Sequence, residues 1–313
     1  MSGDKPLPAQ FEPTTWYPEL RLFPAATRAG DWPAIAAGFQ QLGGWQAATV
    51  AIDLIADVHG ADQFFRQVVA RDPSPMAATI LGRCLIHAGW RIRTAARASQ
   101  VSRQQFDALH AHLRDAERAL MDVTARDPRA LLAWESRLTT ARGLELGVAE
   151  GRRRYDRLAR VAPHHFWAQS FFLQHACPKW GGSWEEAFGF ARQCAAAAPP
   201  GGMHGALVAT VHLERWASLT GDESTQHVLD ARPEVWAAAQ RSVLHPAFRR
   251  EPGWVFAVNA FAFFFHVTGD NPAARPFFHL LGDFGHTRWW ESFGDPVEEF
   301  QAGKAQTFGG VRA

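Results

Sequence analysis

The residues best suited to recognition chemistry lie between Pro73 and Phe106, a stretch that carries Arg83, Arg91, Arg93, Arg97 and Arg103 and no acidic residue. On a helix, Arg83, His87, Trp90, Thr94 and Arg97 fall within about 80° of arc. A guanidinium fork holds a carboxylate or phosphate through two parallel hydrogen bonds, and an indole face stacks on cations and rings. Arg83, His87, Trp90 and Arg97 therefore read as a ligand-binding stripe. The competing reading pairs these arginines with Asp107, Asp115 and Glu117 of the next helix, as surface charges commonly pair. The run Arg152-Arg153-Arg154, broken by Asp156, wraps round its helix and reads as surface.

A second motif is Lys179-Trp180-Gly181-Gly182-Ser183. Lys179 and Trp180 beside the amides of a helix start would make an anion-binding corner. Turn and cap chemistry explains the same stretch: Pro178 ends one helix, the glycines permit a tight turn and Ser183 caps the next helix. Acid–base candidates are His165, Lys179, His212, Glu214 and Asn259, which would have to converge from separate helices. Asn259 is an amide in the otherwise apolar stretch Trp254–Val267, so it must tie down a neighbouring turn or line a pocket. Of the 14 histidines, His279 with Asp283 and His286 has the best spacing for a metal, though a histidine hydrogen-bonded at the core's edge explains His279 as well. There is no HExxH, GxSxG, GxGxxG or GxxxxGK[ST], so no metal and no cofactor is expected.

Composition narrows the classes. The 32 Lys and Arg against 31 Asp and Glu leave a net charge of +1, which argues against a general nucleic-acid binder. The N-terminal residues carry no apolar signal core, and the most apolar run, Val255–Val267, is shorter than the ~20 residues a bilayer crossing needs. No membrane partner is expected. Cys84, Cys177 and Cys194 form no CxxC and leave one unpaired, which suits the cytoplasm. The 13 Trp and 23 Phe against two Tyr must be packed in a dry interior.

The elements that position these residues are helical. Prolines 6, 8, 13, 18 and 24 suggest an extended arm over residues 1–28. From residue 29 to 313 a helical period dominates, with start signals at Ser74-Pro75, Ser102-Arg-Gln-Gln105, Asp127-Pro128 and Ser183-Trp-Glu-Glu186. Pro128, Pro163 and Pro199 stand 35 and 36 residues apart, bracketing helix pairs 128–146/148–162 and 164–177/184–197. Gly30-Asp31-Trp32-Pro33-Ala34 echoes Gly269-Asp270-Asn271-Pro272-Ala273. The expected fold is all-α, an irregular tetratricopeptide-like array of helical hairpins, or α-solenoid, with a possible break at 195–203.

Cys177-Pro-Lys-Trp-Gly-Gly-Ser-Trp-Glu-Glu186, followed by Phe190-Ala191-Arg192, resembles a group of bacterial, largely actinobacterial, helical-repeat proteins with a Pro-Lys-Trp-Gly-Gly-Ser signature. Ala162–Phe166 and His212–Trp216 fit the same resemblance, which implies a tetratricopeptide-like fold and no particular reaction. A binding or scaffold protein is then expected, taking another protein's segment or a small anionic ligand on a concave face. The alternative is an enzyme on the same scaffold using His/Glu acid–base chemistry or a metal. A third reading makes Trp289-Trp290 a self-assembly patch.

Overall fold

The computed structural model describes residues 9–93 and 101–309. Among these the chain is all-α, a succession of helices packed largely against sequence neighbours. The sole β feature there is an isolated bridge, Gln10 with Phe284. No described helix is long and apolar enough to cross a membrane. The helices are α1 Pro13–Trp16, α2 Leu22–Ala29, α3 Trp32–Gln41, α4 Trp45–Ala56, α5 Ala61–Arg71, α6 Pro75–Arg93, α7 Arg103–Arg126 and α8 Leu131–Gly143. They continue with α9 Val148–Ala159, α10 Phe166–Ala176, α11 Trp184–Ala197, α12 Gly205–Ser218, α13 Gly221–Arg241, α14 Trp254–Val267, α15 Asn271–Leu281 and α16 Pro296–Gly309.

The chain divides into two compact units: residues 19–186, and residues from 187 onward together with the segment up to Pro18. The division falls in the first turn of α11 rather than at 195–203. The expected extended arm is corrected from Pro13 onward, where α1, a 3-10 turn at Pro18–Leu20 and α2 follow one another. The prolines permit this because Pro13 and Pro18 open their elements and Pro24 is third in α2, where amides have no intrahelical acceptor to lose.

In the unit 19–186, α6 is the central helix, meeting α4, α5, α7 and α8. The box at Ser102 forms as expected: its hydroxyl accepts from Gln105 N, and Gln105 Oε1 accepts from Ser102 N. Ser74 likewise accepts from Ala77 N. Asp127 instead closes a turn with Arg129 N, and α8 starts only at Leu131. Gly82 and Gly89 on α6 face α7, where a Cβ at Gly82 would stand 2.7 Å from Leu120. That close approach turns the neighbouring face of α6, with Arg83 and His87, toward α4 and α8.

In the other unit, α12, α14 and α15 enclose an aromatic core built on Phe261, Phe263, Phe265 and Phe277. Asn259 sits inside it fully engaged, Nδ2 donating to Arg288 O and Oδ1 accepting from Trp290 Nε1. It ties down the turn before α16. Trp289 and Trp290 are buried, so they do not form the exposed patch expected of an assembly surface. The echoed Gly-Asp turns both form: Gly30 and Gly269 take φ near +70°, and Asp31 and Asp270 cap α3 and α15.

Gly82→Ala should lower the urea midpoint of unfolding by the equivalent of ~1–3 kcal/mol, since Leu120 must shift to admit the methyl group. An unchanged midpoint would show that α7 relaxes freely away from α6.

Candidate functional site

The site lies in the unit 19–186, where α4, α6, α8 and α10 converge. Its anchor is Arg83, only 2% exposed. Nε donates to Asp53 Oδ1 at 2.6 Å, and Nη2 donates to Glu135 Oε1 at 3.1 Å. The guanidinium lies 5.0 Å from the centre of the Phe171 ring. One cation thus links α4, α8 and α10 to α6. One turn along α6, His87 bridges two carboxylates, with Nδ1 2.8 Å from Asp57 and Nε2 3.1 Å from Asp53 Oδ1. Arg91, a further turn along, donates to Ala56 O.

Glu135 forms the dry side of this network and is completely buried. Thr49 Oγ1 donates to its Oε2 at 2.6 Å. His165, the N-cap of α10, accepts from Ala168 N at Nδ1. That leaves the ring proton on Nε2, 3.3 Å from Glu135 Oε2. Trp45 stacks on the His165 ring.

These environments separate the two carboxylates. Burial pushes the Glu135 carboxyl up to about 7, an effect that Arg83 and Thr49 only partly offset. Burial also disfavours charge on Asp53, but Arg83 and His87 outweigh it and hold its pKa well below the usual carboxylate range. Burial opposes charge on His87 too. Its bonds to Asp53 and Asp57 prevail and raise its pKa.

On the open side of Arg83 is a cavity of about 410 Å³ lined by Asp53, Arg83, Ile86, His87, Trp90, Arg91, Thr139, Arg142 and Phe171. Glu135 is not on its wall. Arg142 lies over the rings of both Trp90 and Trp180, 5.7 and 5.2 Å from their centres, and the two indoles meet edge to face. Thr139 is 7% exposed, yet its hydroxyl has no hydrogen-bond partner, and neither has the buried Trp90 Nε1. The wall is cation-rich and carries the unsatisfied Thr139 hydroxyl and Trp90 indole N–H. Such groups favour an acceptor-bearing guest.

The stripe expected on α6 is therefore partly assembled: Arg83, His87 and Trp90 all line the cavity, and Trp180 backs it through Trp90 and Arg142. Arg97 lies outside the described residues. Lys179 is exposed and is not among the lining residues. The acids that pair with the stripe come from α4 and α8, not from α7. Asp115 of α7 pairs with Arg66 and Arg118, and Glu117 pairs with Arg137 and Arg154. The reason is the Gly82–Gly89 contact, which gives α7 the other face of α6. Arg154 is also corrected: it is buried, donating to Glu117, Glu150 and Arg137 O.

The motif at 179–183 folds as its turn chemistry requires. Gly181 takes φ +86°, Ser183 Oγ accepts from Glu186 N, and Gly182 is pressed against the Ala176 carbonyl, where a Cβ would come within 2.0 Å. The acid–base candidates do not share one setting. His165 and Lys179 belong to the unit 19–186, and His212, Glu214 and Asn259 to the other. There His212 contacts Glu234 and His227, whereas Glu214 accepts from Arg288. His279 packs on Phe308, Asp283 accepts from Lys304, and His286 accepts from Arg288 N. Among the described residues no group of three or more His, Cys, Asp or Glu could hold a metal.

Sequence reasoning missed Asp53, Glu135, Thr139, Arg142 and Phe171. Phe171 carries no local signal, and that of the others is polarity on helices that otherwise pack: Glu135, Ser136, Arg137, Thr139 and Thr140 are all buried on α8. No family model, curated protein or solved structure matches the chain.

The raised Glu135 pKa has a definite sign. Between its ordinary 4.5 and about 7 the folded protein keeps a proton that the unfolded chain has released. Its contribution to stability is therefore full below 4.5 and is lost as pH rises through 7. Glu135→Gln removes this titration. The difference in stability between E135Q and the parent should shift in the variant's favour by up to ~3 kcal/mol from pH 4.5 to 8. Urea unfolding at several pH values measures it, and a pH-independent difference would mean that the carboxyl titrates normally.

Proposed function

We propose that the chain is a binding protein whose ligand is a small anion held in the Arg83–Arg142 cavity. The observation that carries this reading is the Thr139 hydroxyl, buried without a partner on a wall that also bears Arg83, Arg91, Arg142 and His87. A buried polar group left unsatisfied costs about 1–3 kcal/mol, and a bound oxyanion would remove that cost. Trp90, Ile86 and Phe171 supply the apolar surface that small-molecule sites use to exclude water. Acid–base catalysis is less well supported, since the carboxyl with a pKa near neutrality, Glu135, is off the cavity wall.

The architecture suits this role as a rigid frame. We read the helical array as tetratricopeptide-like, on the strength of its paired Gly-Asp turns and the hairpin α8–α9. The resemblance to bacterial helical-repeat proteins rests on the 177–192 signature. Three buried cysteines without disulfides agree with a reducing compartment such as the cytoplasm.

Thr139→Val separates a binding role from a structural one. Removing an unsatisfied hydroxyl without changing side-chain shape should leave the urea midpoint unchanged or raise it by the equivalent of ~1 kcal/mol. The same change should weaken binding of benzoate, succinate or inorganic phosphate about tenfold or more, read by titration calorimetry. Absence of binding by all three anions at millimolar concentration, or equal binding to parent and variant, would overturn the reading.

A further inference from the structure

The cavity wall is not uniformly cationic. Asp53 is its one carboxylate, and both of that residue's hydrogen bonds, from Arg83 Nε and His87 Nε2, converge on Oδ1. Oδ2 takes no bond, and the side chain is one-third exposed, so a wall residue keeps an acceptor oxygen without a protein donor. Neither cation beside it belongs to Asp53 alone, since the Arg83 guanidinium is shared with Glu135 and the His87 ring with Asp57. At the Trp90 end of the same cavity stands Arg142, on the helix that also carries the unsatisfied Thr139 hydroxyl. A simple anion drawn to the arginine end would leave the Asp53 carboxylate nearby on the same wall, a like-charge contact that disfavours binding. A ligand with a donor cation at one end and an anion at the other matches the charge at each end and gives Asp53 Oδ2 and the Thr139 hydroxyl their partners.

Resting on the anion-binding reading, we propose that the cavity takes a small zwitterion, a free α-amino acid with an apolar side chain: ammonium on Asp53 Oδ2, carboxylate toward Arg142 and Thr139, side chain against Ile86 and Phe171. The ionised state of Asp53, kept by its neighbours, agrees with this assignment. The ammonium supplies a charged donor, which forms the stronger bond to a carboxylate than a neutral hydroxyl does. The volume of about 410 Å³ falls within the range of small-molecule sites.

The test uses the parent protein and four related probes: L-phenylalanine, 3-phenylpropionate, 3-phenyllactate and 2-phenylethylamine, each titrated calorimetrically. The proposal expects phenylalanine to bind at least ten times more tightly than each of the others. It also expects Asp53→Asn to bring phenylalanine down to the affinity of phenylpropionate. If phenylpropionate or phenyllactate binds the parent as tightly as phenylalanine, the zwitterion assignment falls and the anion site stands. If phenylethylamine binds best, or nothing binds, both readings fall. The comparison among probes is made on the parent, so it holds even if the Asp53 variant fails to fold.

Discussion

One buried guanidinium organises the unit 19–186. Taking Arg83 out of water costs several kcal/mol, and only close, well-directed carboxylates offset that. Asp53 comes from α4 and Glu135 from α8, so the charge on α6 is compensated only when all three helices dock in a single register. A slip of one helix would strand a cation in a dry interior, a far larger cost than loss of an ordinary apolar contact. The ion triad thus specifies an arrangement more than it stabilises one. Its two acids are also unequal: Asp53 opens onto a cavity and stays charged, whereas Glu135 is sealed and changes its proton near neutrality.

The cavity exists because of what happens on the opposite side of α6. Glycines at 82 and 89 let α7 approach until a Cβ at 82 would clash with Leu120 and one at 89 would sit tightly against Leu109 and His112, and the close seam is repeated where Gly143 of α8 meets Leu113 of α7. Helices that approach so tightly on one side are splayed on the other by bulky groups, here Trp90, Phe171 and Arg142. A second buried ion set, Glu117 with Arg137 and Arg154, fixes α7, α8 and α9 in the same way. The frame around the cavity is therefore held by charge pairs on two sides, and its polar groups are set before any ligand arrives.

Local patterns made the helices legible in the sequence: caps at Ser74, Ser102 and Ser183, the Gly-Asp turns and the α8–α9 hairpin all reflect chemistry within a few residues. The stripe Arg83–His87–Trp90 was legible for the same reason, since one helix fixes their common face. Its partners were not. Asp53 and Glu135 lie 30 and 52 residues from Arg83, and nothing in a single chain says which helices will meet. Arg154 shows the same limit from the other direction. An arginine within a basic run resembles solvated surface until Glu117, 37 residues away, is brought beneath it. The helical content of 13–29 was hidden because proline is read as a breaker, although the first turn of a helix tolerates it.

Two buried polar side chains show how a site can be told from a tie. Asn259 sits in an aromatic core, and both ends of its amide are engaged, one by the Trp290 indole and one by the Arg288 carbonyl. Such a residue is complete, and its role ends with the turn it holds. Thr139 is also buried, but its hydroxyl has no partner; the same is true of Ser136 on that helix, whereas the adjacent Thr140 hydroxyl donates to Glu117. The fold could satisfy one of these adjacent hydroxyls because Thr140 faces the ion set between α7 and α9. Thr139 lines the cavity, where no protein group accepts from its hydroxyl. Other buried polar atoms also lack partners, and what sets Thr139 apart is its place beside an arginine-lined space that a ligand can enter.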